Sequence, residues 1–167
     1  MTKTYQCPNG EEVLVPTSAK IGRGVEIGEN VTIGEYAKID DYAKLMDNVV
    51  LHDSVTIGFG VSIGSGTVIG SDAVIGPGNE IGKNCLIGER AQIGSLIAIG
   101  DCVRIGSDVT IGDVVEVDDG AKIGKGVSLG FAVEVRSDLV VEDEEQIPSL
   151  GIVYAIGCVR QPTALKH

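Results

Sequence analysis

The chain has 167 residues, 24 of them Gly and none Trp, and aromatic residues make up 4%. That length suits one domain, and its core has to be aliphatic. A net charge of -11, with the Lys and Arg residues scattered, excludes nucleic acid and anionic membrane from the expected partners.

Residues 1–14 lie outside the pattern that governs the rest of the chain. Met1–Tyr5 leads into polar sequence, so no secretory signal is expected. No apolar run approaches the roughly 20 residues that span a bilayer. Pro8-Asn9-Gly10 predicts a turn between two short strands, Tyr5–Cys7 and Val13–Val15. Such a hairpin would cap an otherwise open end. Cys7, Cys85, Cys102 and Cys158 form no CxxC pair and no compact framework, which fits a reducing, cytoplasmic setting.

From Val15 to Val141 an aliphatic residue returns every six positions, as in Ile21, Ile27, Ile33, Leu45 and Leu51, with nothing skipped or inserted. Gly follows it in most repeats, so many positions are expected to need a special backbone shape. Four positions after it stands a second, usually smaller apolar residue, from Ala19 and Val25 on to Leu139. A helix needs a 3.6 period, whereas β-branched residues two apart suit a short strand with both side chains inward. The Gly and the two residues after it then form a corner. Six residues cannot bury two faces alone, so the hexads must coil on one another.

The pattern aliphatic–Gly–two variable–small–variable, well represented by Ile87-Gly88-Glu89-Arg90-Ala91-Gln92, resembles the hexapeptide-repeat superfamily over about three quarters of the chain. The resemblance implies an all-β fold, a single-stranded left-handed parallel β-helix with three hexads per coil. About seven regular coils without loop insertions would make a prism roughly 34 Å long at ~4.8 Å per strand. Its predicted parts are a capping hairpin at 1–14, the helix at 15–146 and an extension at 147–167. The extension begins with Ile147-Pro148-Ser149 and faintly resembles the Pro-containing segment after the last coil of family transferases, though no long helix follows. Glu142–Glu145 is expected to be a solvated acidic turn.

Residues eighteen apart then stack. One outward column carries Val50, Val68 and Leu86, and the opposite corner carries Tyr42, Phe59, Pro77, Leu96, Val114 and Phe131. Corner against neighbouring face would bury both and close around a threefold axis, giving the homotrimer that the resemblance also implies.

The chemistry is less fully written. Only His52 and His167 are present, and carbonic anhydrases of this fold need three His ligands, so no metal is expected. Family acyltransferases use one His as general base toward an acyl thioester, which singles out His52, with Asp53 and Asp47 placed to orient its ring. Leu51-His52-Asp53-Ser54 resembles their His-Asp-Cys motif, but the His stands one place earlier, in the corner position that Gly fills elsewhere. Asp40, Met46 and His52 replace this Gly in three successive hexads. The plainer account of His52 is a corner that accepts a positive φ, where His is mildly enriched. Asn79 and Thr67 occupy inward positions and need hydrogen-bond partners, structural rather than functional. Cys85 is read as a small core residue and Cys102 as an outward one. Asp40-Asp41 and Asp118-Asp119 are read as solvated corners rather than cation sites. Threonines do not line up in ranks, which removes ice binding. Two functions remain: an acyl- or acetyltransferase with acetyl-CoA or another acyl thioester as co-substrate and no permanently bound cofactor, and a non-catalytic scaffold trimer.

Overall fold

In the computed structural model, which describes residues 1–7, 10, 12–150, 152–155 and 158–160, the six-residue beat becomes a left-handed parallel β-helix. After β1 (Thr2–Gln6) and β2 (Glu12–Pro16) come two-residue strands, β3 (Lys20–Ile21), β4 (Glu26–Ile27), β5 (Thr32–Ile33) and so on every six residues to β24 (Gln146–Ile147). Each pairs in parallel with the strand eighteen residues away, as Ile63 does with Leu45 and Ile81. Three sheets result, and we name the faces by their first strands: the first face from β3, the second from β4 and the third from β5.

Every hexad points two side chains inward. The Ile column is buried almost without exception, and so is the smaller column (Ala19, Val25, Ala37, Ala43 and onward), with Val31 and Leu139, near its two ends, only partly buried. Each fully buried large aliphatic contributes about 1.5–3 kcal/mol, so stability is spread evenly along the prism.

The corners explain the glycines, and differently from the sequence expectation. Every sixth residue from 24 to 150 is left-handed, with φ between 53° and 74°, including Leu96, Cys102 and Val114. This is the third corner residue, and only Gly24, Gly60, Gly66, Gly78, Gly120 and Gly126 meet it with Gly. The corner Gly that follows the aliphatic residue has no positive φ. It is needed because a Cβ there would strike the next coil: at Gly88 it would lie 2.5 Å from the carbonyl carbon of Gly106. The special φ expected at His52 therefore sits at Ser54, with φ 61°.

The inward polar residues are satisfied by backbone. Asn79 Nδ2 donates to the carbonyls of Gly76 (3.0 Å) and Gly94 (2.8 Å), and its Oδ1 accepts from the Ile97 N–H at 2.8 Å. Thr67 Oγ1 donates to Gly82 O at 2.8 Å and accepts from Cys85 N–H at 3.1 Å. Cys85 is buried, and that burial pushes its thiol up from the ordinary range.

At the N-terminal end β1 and β2 form an antiparallel hairpin. Lys3 Nζ donates to the Ala19 carbonyl at 2.6 Å, and Tyr5 Oη bonds the Gly22 and Val25 carbonyls at 3.2 Å each, so the hairpin is tied onto the first coil. Of the expected turn, Pro8 and Asn9 lie outside the described residues. At the other end the beat runs past the boundary expected at residue 146. Ile147 is buried above Leu129, and β25 (Ile152–Ala155) stacks on the second face before β26 (Cys158–Arg160) turns back along it. No helix occurs among the described residues, and none is long and apolar enough to cross a membrane.

Candidate functional site

His52 follows the third-face strand Val50–Leu51 and opens the corner that leads to the first face. Its backbone N–H donates to Ile69 O at 3.0 Å, which fixes the main chain, while the side chain is exposed. Gly34 stands one coil before it and Gly70 one coil after, so the imidazole has no side-chain neighbour in its own column. Among the described residues no side chain hydrogen-bonds it.

The two carboxylates expected to orient the ring are used elsewhere. Asp53 Oδ1 accepts the Glu35 N–H at 2.8 Å, and Asp47 Oδ1 accepts the Glu29 N–H at 2.9 Å. These bonds belong to a device that the sequence reading missed. Asp41, Asp101, Asp113, Asp119 and Asp143 each accept the N–H of the residue eighteen positions earlier, at 2.7–2.8 Å. The signal was present as an Asp two places after the aliphatic residue, in hexad after hexad. A charge-assisted bond to a backbone N–H closes each corner against the next. Asp41 shows the effect on the acid itself: the Arg23 N–H, and then its guanidinium, hold the carboxyl below its ordinary range.

The expected stripe and corner are both in place. Val50, Val68 and Leu86 lie in register on the third face, the first two half-buried and Leu86 46% exposed. The column continues as Arg104, Lys122 and Val140. At the opposite corner Tyr42, Phe59, Leu96, Val114 and Phe131 are all exposed. The Tyr42 and Phe59 rings meet edge to face, 5.7 Å apart at 74°. An edge-to-face pair of this kind is worth about 0.5–1.5 kcal/mol beyond the area it buries.

The second face is acidic. A shallow groove of about 690 Å³ runs along it, lined by Glu80, Asp101, Glu116, Asp118 and Asp119 among others, and does not include His52. Asp40 pairs with Lys38 at 3.3 Å and Asp41 with Arg23 at 3.2 Å. No cluster of three or more His, Cys, Asp or Glu able to hold a metal ion occurs among the described residues.

Solved structures of the same architecture include three UDP-N-acetylglucosamine acyltransferases. That from Bacteroides fragilis is 21% identical with TM-score 0.63, covering 87% of this chain and 71% of its own. That from Campylobacter jejuni is 20% identical with TM-score 0.53, covering 84% and 67%. That from Francisella novicida is 23% identical with TM-score 0.50, covering 85% and 64%. At these identities the likeness establishes the hexapeptide-repeat fold. This chain spans about two thirds of the length of those proteins. No curated protein matches the sequence. The sequence profile of one family does match, over residues 45–149, which take in His52, most of the apolar stripe's face and the regular coils: the chain belongs to the GMPPB C-terminal domain family.

Proposed function

We propose that the protein is a homotrimeric acyltransferase in which His52 is the general base. The observation that carries this reading is the exposed imidazole itself, set where most corners hold Gly and bordering the Val50–Val68–Leu86 stripe. A neighbouring subunit that covers this stripe brings His52 to the edge of a cleft between two subunits. There the imidazole takes the proton from an acceptor hydroxyl or amine as that group attacks the thioester carbonyl. The new C–O or C–N bond forms, the C–S bond breaks, and the imidazolium returns the proton to the departing thiolate. The donor is acetyl-CoA or an acyl carrier thioester. The solved relatives of this fold act on a UDP-sugar, which makes a nucleotide sugar the first acceptor to try. This reading puts the protein in the cytoplasm.

Acyl transfer from acetyl-CoA and from acyl carrier protein tests it. His52→Ala should abolish transfer while the thermal melt is unchanged. Transfer that survives the substitution would overturn the role of His52.

A second reading, a non-catalytic trimeric scaffold, is favoured by Asp53. Its carboxylate is bound to the Glu35 N–H instead of the imidazole. This reading predicts an intact trimer that neither binds CoA nor transfers an acyl group.

A further inference from the structure

Residues 1–10 contain one charged side chain, Lys3, and all 24 acids of the chain come later. The far end is the opposite: Glu142, Asp143 and Glu144 crowd one exposed corner. In a chain of net charge -11 a second copy is repelled over most of the surface and least at the N-terminal hairpin.

That hairpin ends in an open edge. β2 carries Val15, which is fully buried and stands eighteen residues before Ile33, so β2 continues the stack of the third face against β5. β1 lies on the other side of β2, and among the described residues no strand pairs with its outer edge. The Thr17 N–H donates to the Met1 carbonyl at 3.0 Å. Bonded positions alternate in an antiparallel ladder, so Lys3–Val15 and Tyr5–Val13 are bonded too. The main-chain groups of Thr2, Thr4 and Gln6 therefore turn away from β2. Their side chains are exposed, whereas those of Lys3 and Tyr5 reach back onto the first coil.

Edge strands are ordinarily blunted by a Pro, a bulge or an outward charge. β1 has none of these. It contains no Pro, its register with β2 is unbroken from Thr2 to Gln6, and its one charge, Lys3, is tied to the Ala19 carbonyl. The outward residues Thr2, Thr4 and Gln6 are uncharged, and Thr favours strands.

We infer that β1 pairs antiparallel with β1 of a second copy, centred on Thr4. In this register Thr4 exchanges main-chain bonds with the partner's Thr4, and Thr2 and Gln6 exchange them with the partner's Gln6 and Thr2. Every outward main-chain group then has a partner. A shift by one residue would set outward groups against inward ones. A shift by two would lose a bonded pair, and in one direction would set Lys3 against Lys3. The side chains suit the same register: Thr4 meets Thr4, a favourable cross-strand pair, and Lys3 stands opposite the partner's Tyr5. The contact is isologous, about a two-fold normal to the third face. That rotation reverses the prism axis together with the strand, so two prisms join end to end with their acidic ends farthest apart. The pairing requires neither acyl transfer nor the trimer of the proposed function.

Sedimentation over a concentration series tests it, with melts to show that the prism is intact. Wild type should sediment as a doubled species. Thr4→Pro removes the N–H on the axis, which the hairpin does not use, and should raise the concentration needed for doubling at least about tenfold. Thr4→Val keeps that N–H and should stay doubled. Thr4→Glu and Thr4→Lys each set like charges face to face and should separate, and an equimolar mixture of the two should double again. Wild type that never doubles, Thr4→Pro that doubles as readily, or a mixture that stays apart would overturn the pairing. A separated unit of one chain in place of three would remove the trimer and leave the pairing standing.

Discussion

Two stretches of the same corner column behave differently. From Gly58 to Gly112 it holds Gly in every hexad, and at Asp40, Met46 and His52 it holds side chains. The coil-to-coil bond donated by each of these Gly N–H groups is 2.7–2.8 Å, whereas those of Asp40, Met46 and His52 are 2.9, 3.0 and 3.0 Å. Asp118, another substituted corner, donates at 2.9 Å. A Cβ needs room that the close stack does not have, and the corners that carry one have parted slightly to give it. The fold thus asks for Gly here, and His52 stands against that request.

The regular stretch should resist the same substitution. In Gly88→Ala the new methyl meets the Gly106 carbonyl carbon and the Ser107 nitrogen at 2.5 Å, with backbone on both sides unable to turn away. We expect a loss of about 3 kcal/mol, read by urea denaturation. A loss under about 1 kcal/mol would show that the tight corners are as pliable as the one at His52. Next in size is Asn79→Ala, also in the regular stretch. It leaves the Gly94 carbonyl and the Ile97 N–H without their side-chain partner. A loss of about 2 kcal/mol is expected in the same assay, and Asn79→Asp should not restore it, because it lacks the donor.

The sequence carried the repeat, the inward columns and the outward stripe because each is a period, and a period of six admits few folds. Ile63, Ala73 and Leu86 all lie where the beat puts them. The corners were harder. Gly in a fixed position reads as a demand on φ, but the positive φ falls two residues later and is met by Asn30, Tyr36 or Val114 as readily as by Gly. Close approach between coils is a three-dimensional property, invisible until residues eighteen apart are stacked. For the same reason Asp53 looked like a partner for the neighbouring imidazole, when its bond goes to Glu35, one coil back. The candidate site was legible only as the exceptional residue, His52.

A smaller effect sharpens the meaning of that residue. His52→Gly restores the column and allows the corner to close, which favours the folded state. It also frees the unfolded chain, which opposes it by about 0.4–1 kcal/mol. The two nearly cancel, so the denaturation midpoint should move by less than the equivalent of about 1 kcal/mol. Loss of acyl transfer at unchanged stability would assign His52 to chemistry. A loss of several kcal/mol would mean that the imidazole supports the fold after all.

The smallest expected effect compares one acid from each stretch. Asp41, in the irregular turn, is held below the ordinary carboxylate range by the Arg23 N–H and guanidinium, and Asp108, in the regular stack, by the Arg90 guanidinium. A carboxyl whose folded pKa is depressed adds stability that is complete above its unfolded value of about 3.9 and is lost as pH falls through the folded one. Both acids accordingly favour the fold at neutral pH and cease to do so in strong acid. Both pairs are exposed to solvent, so the change is small and weakens with salt. Melting wild type, Asp41→Asn and Asp108→Asn at pH 6 and pH 3 separates the two. Each variant should lose less on acidification than wild type does. Asp41→Asn keeps an oxygen for the Arg23 N–H, so its deficit at pH 6 reports the charge and not the corner bond. If acidification costs the variants as much as wild type, the acid sensitivity of the prism lies in other carboxylates.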